Sequence, residues 1–152
     1  MYTWQCRSFN ELTTEQLYEL LKLRVDIFVV EQQCPYPELD DKDRIAETWH
    51  LMGYDQQQLV ACARLLPPGV SYPSASIGRV AIAQNARGKG LAHQLLEQAL
   101  MHCAQHWPEQ AIEIGAQTYL THFYAQFGFI PTSESYLEDG IAHIDMKKSP
   151  TQ

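Results

Sequence analysis

One junction restricts this chain more than any other. An apolar run, Ser76 to Ala83, passes through Gln84-Asn85-Ala86 into Arg87-Gly88-Lys89-Gly90-Leu91-Ala92. Leu91, Leu95, Leu96, Ala99, Leu100 and Cys103 then recur on one helical face until Trp107-Pro108 stops the pattern. A strand that turns on two glycines into a long amphipathic helix needs a sheet, and a face of that sheet for the helix to cover. Glycine lets the backbone come close to a ligand without Cβ interference. The first amides of a helix lack intrahelical partners and carry the positive end of its dipole. Arg87 and Lys89 add full charges, so the turn reads as a pocket for phosphate oxygens. A dinucleotide fingerprint is disfavoured because His93 stands where its third glycine belongs, and the Walker A spacing is absent. Taken alone, these six residues also fit an ordinary Gly-rich helix start with solvated basic side chains.

The flanking elements follow from the same periodicities. Tyr2 to Cys6 reads as a short first strand. Thr13 and Gln16 form a capping-box signature, and Leu17, Leu20, Leu21, Val25 and Phe28 give one apolar helical face from about 14 to 31. Cys34-Pro35-Tyr36-Pro37 ends it. Glu38 to Glu47 holds five acids and two bases and is expected as an exposed loop or short helix. Trp49 to Tyr54 and Leu59 to Leu66 read as a hairpin, and Ala111 to Ala116 as a later strand. Thr118 opens a helix that ends at Gly128, and Phe129–Tyr136 with Ile141–Lys147 is expected as a last strand pair around Asp139-Gly140. The expected fold is α+β: one domain over 1–148, a mixed, mostly antiparallel sheet flanked by helices, in the order β-α-α-β-β-β-α-β-α-β-β. A short tail covers 149–152. At 152 residues there is room for one domain with its own core.

Charge and cysteine usage exclude several functions. Eleven Lys and Arg against eighteen Asp and Glu leave a net charge of −7, which disfavours nucleic acid as a partner. The four cysteines contain no Cys-x-x-Cys pair, so neither a zinc ribbon nor a thioredoxin-type centre is indicated. With no secretory signal at residues 1–9 and no apolar run long enough to span a bilayer, reduced thiols in a cytoplasmic protein without membrane contact are expected. His102 and His106 have the spacing of a two-histidine metal site, but no third ligand is apparent, and the expectation is that no metal binds.

Arg87-Gly88-Lys89-Gly90-Leu91-Ala92, placed between a central strand and a long helix, resembles the Arg/Gln-x-x-Gly-x-Gly/Ala signature of the GNAT superfamily of acyl-CoA N-acyltransferases. Tyr124-Ala125-Gln126-Phe127-Gly128-Phe129 resembles that family's Tyr-x-x-x-Gly-Phe segment, and the element order agrees over nearly the whole chain. Leu23-Arg24, Phe28 to Gln32, Cys34-Pro35-Tyr36, Ile77 to Val80, Gly115-Ala116-Gln117 and Glu138 to Ile141 with His143 are similar to the ElaA-type branch.

The resemblance implies an acetyl-CoA-dependent N-acetyltransferase acting on a primary amine of a small molecule or peptide. Residues 87–92 would cradle the pyrophosphate, and the backbone of Val80, Ala81 and Ile82 would hold the pantetheine arm like an added strand. Tyr124 would protonate the departing thiolate; its alternative is an aromatic core residue beside Phe123 and Phe127. The strand before the turn holds no acid, so no base is assigned, and a water path to solvent is equally open. Glu31, His50, Arg79 and His143 are the candidates on the acceptor side. Glu113 reads as a solvated face residue. Arg24, Arg64 and Arg79 fall in apolar stretches and read as ion-pair partners or as a grip on an acceptor carboxylate. The acidic loop either lies solvated or steers cationic amines. By analogy with such folds, a homodimer is one expected assembly. A CoA-binding sensor without catalysis is the alternative function, left open by the missing strand carboxylate.

Overall fold

The computed structural model describes residues 1–150. Strand β1 (Tyr2–Ser8) leads into α1 (Thr14–Val25), whose Thr13 accepts from the Gln16 amide while the Gln16 side chain accepts from the Thr13 amide. The helix widens into π turns over Asp26–Glu31. Next come β2 (Trp49–Asp55), β3 (Gln58–Leu66), β4 (Ala75–Ile82), α2 (Leu91–His106), β5 (Ile112–Gln117) and α3 (Thr121–Ala125). The chain closes with β6 (Ile130–Pro131), β7 (Tyr136–Glu138) and β8 (Ile141–Lys148). The eight strands form one sheet in the order β1-β2-β3-β4-β5-β8-β6, with β7 also on β8. Every pairing is antiparallel except β4 with β5.

The pleat divides the core between two faces. Leu51, Ala61, Ala63, Leu65 and Ile77 pack with Leu91, Leu95, Leu96, Ala99 and Cys103 of α2. Met52, Cys62 and Ala81 pack with Leu20 and Ile27 from α1 and its π extension. Alternate residues of β2 and β3 thus meet different helices, as a period of two requires, whereas in β4 Ile77 and Ala81 face opposite sides across the irregularity at Arg79.

Three expectations are corrected in detail. The segment 38–47 forms only a 3₁₀ turn, Lys42–Arg44, and Glu38 and Asp43 within it are buried rather than exposed. The strand expected over 129–136 is two fragments, β6 and β7, because Thr132 and Ser133 leave the ladder to bond the backbone of Asp145. Glu113 is half-buried instead of solvated and accepts from the Ser74 hydroxyl at 2.7 Å. Residues 151–152 of the expected tail lie outside the described residues. None of the described helices is long and apolar enough to cross a membrane.

Candidate active site

The central strands part along β4, before the glycine turn is reached. Strands β4 and β5 run parallel but pair, among the described residues, only at Ala75 with Ile112 and Ser76 with Glu113. Beyond those pairs the two backbones separate. On the other edge of β4 the register with β3 shifts between Cys62 and Arg64, and Arg79 takes φ +50°. A bulge of this kind bends its strand and re-aims its side chains. The result is a slot bounded by Val80, Ala81 and Ile82 on one side and Ile114 to Gln117 on the other, part of a cavity of about 910 Å³.

At one end of the cavity lies the turn. Arg87, Gly88, Gly90, Leu91 and Ala92 line it, while Lys89 is exposed and outside the lining. Gly88 and Gly90 sit at φ +80° and +78°, and a Cβ on either would meet no atom within 4 Å. Glycine is therefore required here by backbone conformation, with open space left above the amides for a ligand. Gly90 is the N-cap of α2, so the first free amides of a long helix face this end. Arg87 is already engaged: Nη1 and Nη2 donate to the two oxygens of Glu31 at 2.7 and 2.9 Å, and Nε donates to the Ile82 carbonyl at 3.1 Å. That fork holds the Glu31 carboxyl below its ordinary range. Glu31 lines the cavity as a partner of the turn arginine, in a form ill suited to accept a proton.

Tyr124 of α3 also borders this cavity. It is 6% exposed, lines the cavity, and makes edge-on ring contacts with Phe123 and Phe129. Burial, helped by Tyr119, pushes its phenol up to about 12. A phenol so placed keeps its proton until a strong base forms beside it. Its ring contacts agree with the core reading of this residue, and it also borders the cavity.

The far end rests on an ion-pair platform. Arg24 is 1% exposed and donates to Glu38 Oε2 and to Asp43 Oδ1, both at 2.7 Å. Arg64 forks onto Asp40 at 2.7 and 2.9 Å and reaches Asp43 at 3.1 Å. Arg79 donates to Glu38 Oε2 at 2.7 Å and lies over the Tyr36 ring, whose hydroxyl bonds the same glutamate. Three guanidinium groups from α1, β3 and β4 are thus balanced by three acids of the 38–43 loop. The acids hold helix to sheet, and Asp40 also reaches the cavity wall with Arg64 and Arg79.

The acceptor-side candidates separate accordingly. His50 is 1% exposed, lies outside the cavity lining, and donates from Nε2 to the Asp43 carbonyl at 3.0 Å. It belongs to the platform and is withdrawn as an acceptor contact. Arg79 lines the cavity with its charge committed to Glu38 and Asp40. His143 lines the cavity, donates from Nδ1 to the Ile141 carbonyl at 2.7 Å, and stacks on Tyr136.

Two features escaped the sequence reading. Asp145 Oδ1 accepts from the hydroxyls of Tyr72 at 3.0 Å and Tyr136 at 2.7 Å. Burial and that carboxylate raise both phenols. These hydroxyls crowd the space over Gly115, where a Cβ would lie 3.1 Å from each, and Gly115 stands opposite Asp145 in the ladder. An isolated glycine inside a strand was the available signal for such close approach. The second feature is Cys6, which the fold brings beside His102 and His106, the third ligand type that the sequence did not reveal.

Comparison with known proteins agrees with this architecture. Residues 28–150 match the model of the acetyltransferase (GNAT) domain. Protein ElaA of Escherichia coli K12 is 42% identical over 152 residues, covering all of this chain and 99% of that protein. The crystal structure of E. coli ElaA superposes with a TM-score of 0.93 over 98% of this chain and 100% of its own. An acyl-CoA N-acyltransferase from Pseudomonas aeruginosa, also 42% identical, does so with a TM-score of 0.94 over 98% and 100%. With a matching turn, a parted strand pair and relatives alike along their full length, the chain belongs to the GNAT acetyltransferase family.

Proposed function

We propose that this chain is an acetyl-CoA-dependent N-acetyltransferase whose acceptor is a primary amine of a small molecule or peptide. One observation carries the reading: a continuous cavity joins a positive-φ glycine turn, the unpaired edge of β4 and the phenol of Tyr124. The amides at 88–92 would receive the pyrophosphate, with Arg87 exchanging Glu31 for phosphate oxygens. The arm would pair with Val80 to Ile82 as an added strand, setting the thioester between β4 and β5.

The chemistry follows from those positions. The amine must be neutral before it attacks, although its ordinary pKa lies near 10. As its nitrogen bonds to the carbonyl carbon, the C–S bond breaks and Tyr124 gives its proton to the thiolate. The proton lost by the amine leaves through water at the acceptor end, where His143, Tyr72 and Asp40 line the wall. Four free cysteines fit a reducing compartment, which supports a cytoplasmic location.

The test follows thiol release from acetyl-CoA across polyamines, lysine-like amines, peptide N-termini and acidic amines. Turnover on at least one amine is expected. Tight CoA binding with no turnover on any would favour the sensor function instead.

A further inference from the structure

A second cluster lies apart from the cleft. One Sγ, from Cys6 of β1, and two imidazole nitrogens, from His102 and His106 of α2, lie within 4.8 Å of one another. None of the three residues lines the main cavity. The two histidines are four apart and so share one helix face. Cys6 is brought to them by the antiparallel register of β1 on β2, where it stands opposite Leu51. Trp49 of β2 lies flat on His106, with ring centroids 4.1 Å apart and planes at 13°, which fixes the orientation of that imidazole. The His102 and His106 rings are themselves within 17° of parallel.

We propose that Cys6, His102 and His106 form a binding site for a zinc-type divalent cation, distinct from the acyl-transfer site. A thiolate with two imidazoles suits zinc and its neighbours, whereas magnesium and calcium demand oxygen ligands. Around a tetrahedral zinc, with bonds of about 2.0–2.3 Å, such atoms stand roughly 3.3–3.6 Å apart. The three atoms, now within 4.8 Å of one another, would have to draw in to that range on binding. On binding, the Cys6 thiol gives its proton to solvent and forms the metal–sulfur bond, the imidazoles coordinate through lone pairs, and water takes the fourth position. No electron transfer is involved. The ion would clip β1, an edge strand, to the last turns of α2.

Cobalt(II) is the probe, added to the untagged, reduced full-length protein and read by absorption. A single saturable site is expected, with the intense visible bands of tetrahedral cobalt and a thiolate-to-cobalt charge-transfer band, both lost on adding one equivalent of zinc. Cys6→Ser abolishes the charge-transfer band, and His102→Gln, on the helix surface, weakens binding by more than about 100-fold. Cys34→Ser leaves the spectrum unchanged. Circular dichroism checks the fold of each variant, and if Cys6→Ser does not fold, His102→Gln decides. Weak octahedral bands in the parent protein, or a tetrahedral spectrum that survives His102→Gln, overturns the proposal.

Discussion

At the scale of single residues, the site is built from groups whose partners define what each can do. Tyr124 is held protonated by burial, so loss of its proton lies near pH 12, far above any working range. Tyr124→Phe is therefore expected to lower turnover by roughly 10²-fold at every pH between 6 and 9, without reshaping the profile. Calorimetric affinity for CoA should stay nearly unchanged, and unaltered turnover would remove Tyr124 from the role of acid. Glu31 was expected on the acceptor side, yet the fold pairs it with the turn arginine. Exposed pairs of this kind contribute about 0.2–1 kcal/mol, so Glu31→Gln should tighten CoA binding by up to about fivefold. Weaker binding in that variant would show that Glu31 holds Arg87 in place for the cosubstrate rather than competing with it. Tyr124 and Arg87 were legible because short motifs carry them. Asp145 was not, since nothing in a strand reading Ile-Ala-His-Ile-Asp-Met tells that two phenols from elsewhere in the chain will converge on one carboxylate.

Among the elements, the helices and the glycine turn followed from periodicity, while the 38–47 loop did not. Its acids read as solvated because a loop has no period, and their arginine partners lie 14 to 41 residues away along the chain. Packing made this loop the electrostatic floor of one part of the cavity. Arg24→Ala would leave Glu38 to Arg79 alone and Asp43 to Arg64 alone, a buried cluster short of one cation, at a cost of about 3–5 kcal/mol, readable in urea unfolding. The loop also sets the dependence of stability on pH. Against the upward push of burial, Arg64 and Arg79 bring Asp40 down to about 2, and Arg24 and Arg64 lower Asp43. Such depressed carboxyls contribute fully above the unfolded value of about 3.9, and the contribution is lost as pH falls through it toward 2. Burial lowers His50, so its contribution is present above about 6.5 and declines as the unfolded state takes up protons below that value. Unfolding midpoints should thus be level between about pH 7 and 8 and fall in two stages, below about 6.5 and again below about 4. A midpoint that holds constant from pH 7 to 3 would contradict this account of the loop.

For the whole molecule, the decisive feature is that one sheet is both continuous and split. Its mixed, mostly antiparallel character was implied by the order of elements, but the parting of β4 from β5 goes with a bulge at Arg79 and with the pairing of β5 on β8. No local pattern announces either, and the family resemblance alone had suggested that the backbone of Val80 to Ile82 is open to an added strand. The slot gives the helix amides of α2 an open approach on an otherwise acidic surface. That arrangement is tested most directly by titrating the purified chain with acetyl-CoA in a calorimeter, beside Gly90→Val, which forces a branched side chain into φ +78°. One molecule bound per chain, with affinity at least tenfold weaker in Gly90→Val, is the expected result. No heat from the parent protein, or equal affinity in the variant, would contradict the claim that this turn holds the cosubstrate.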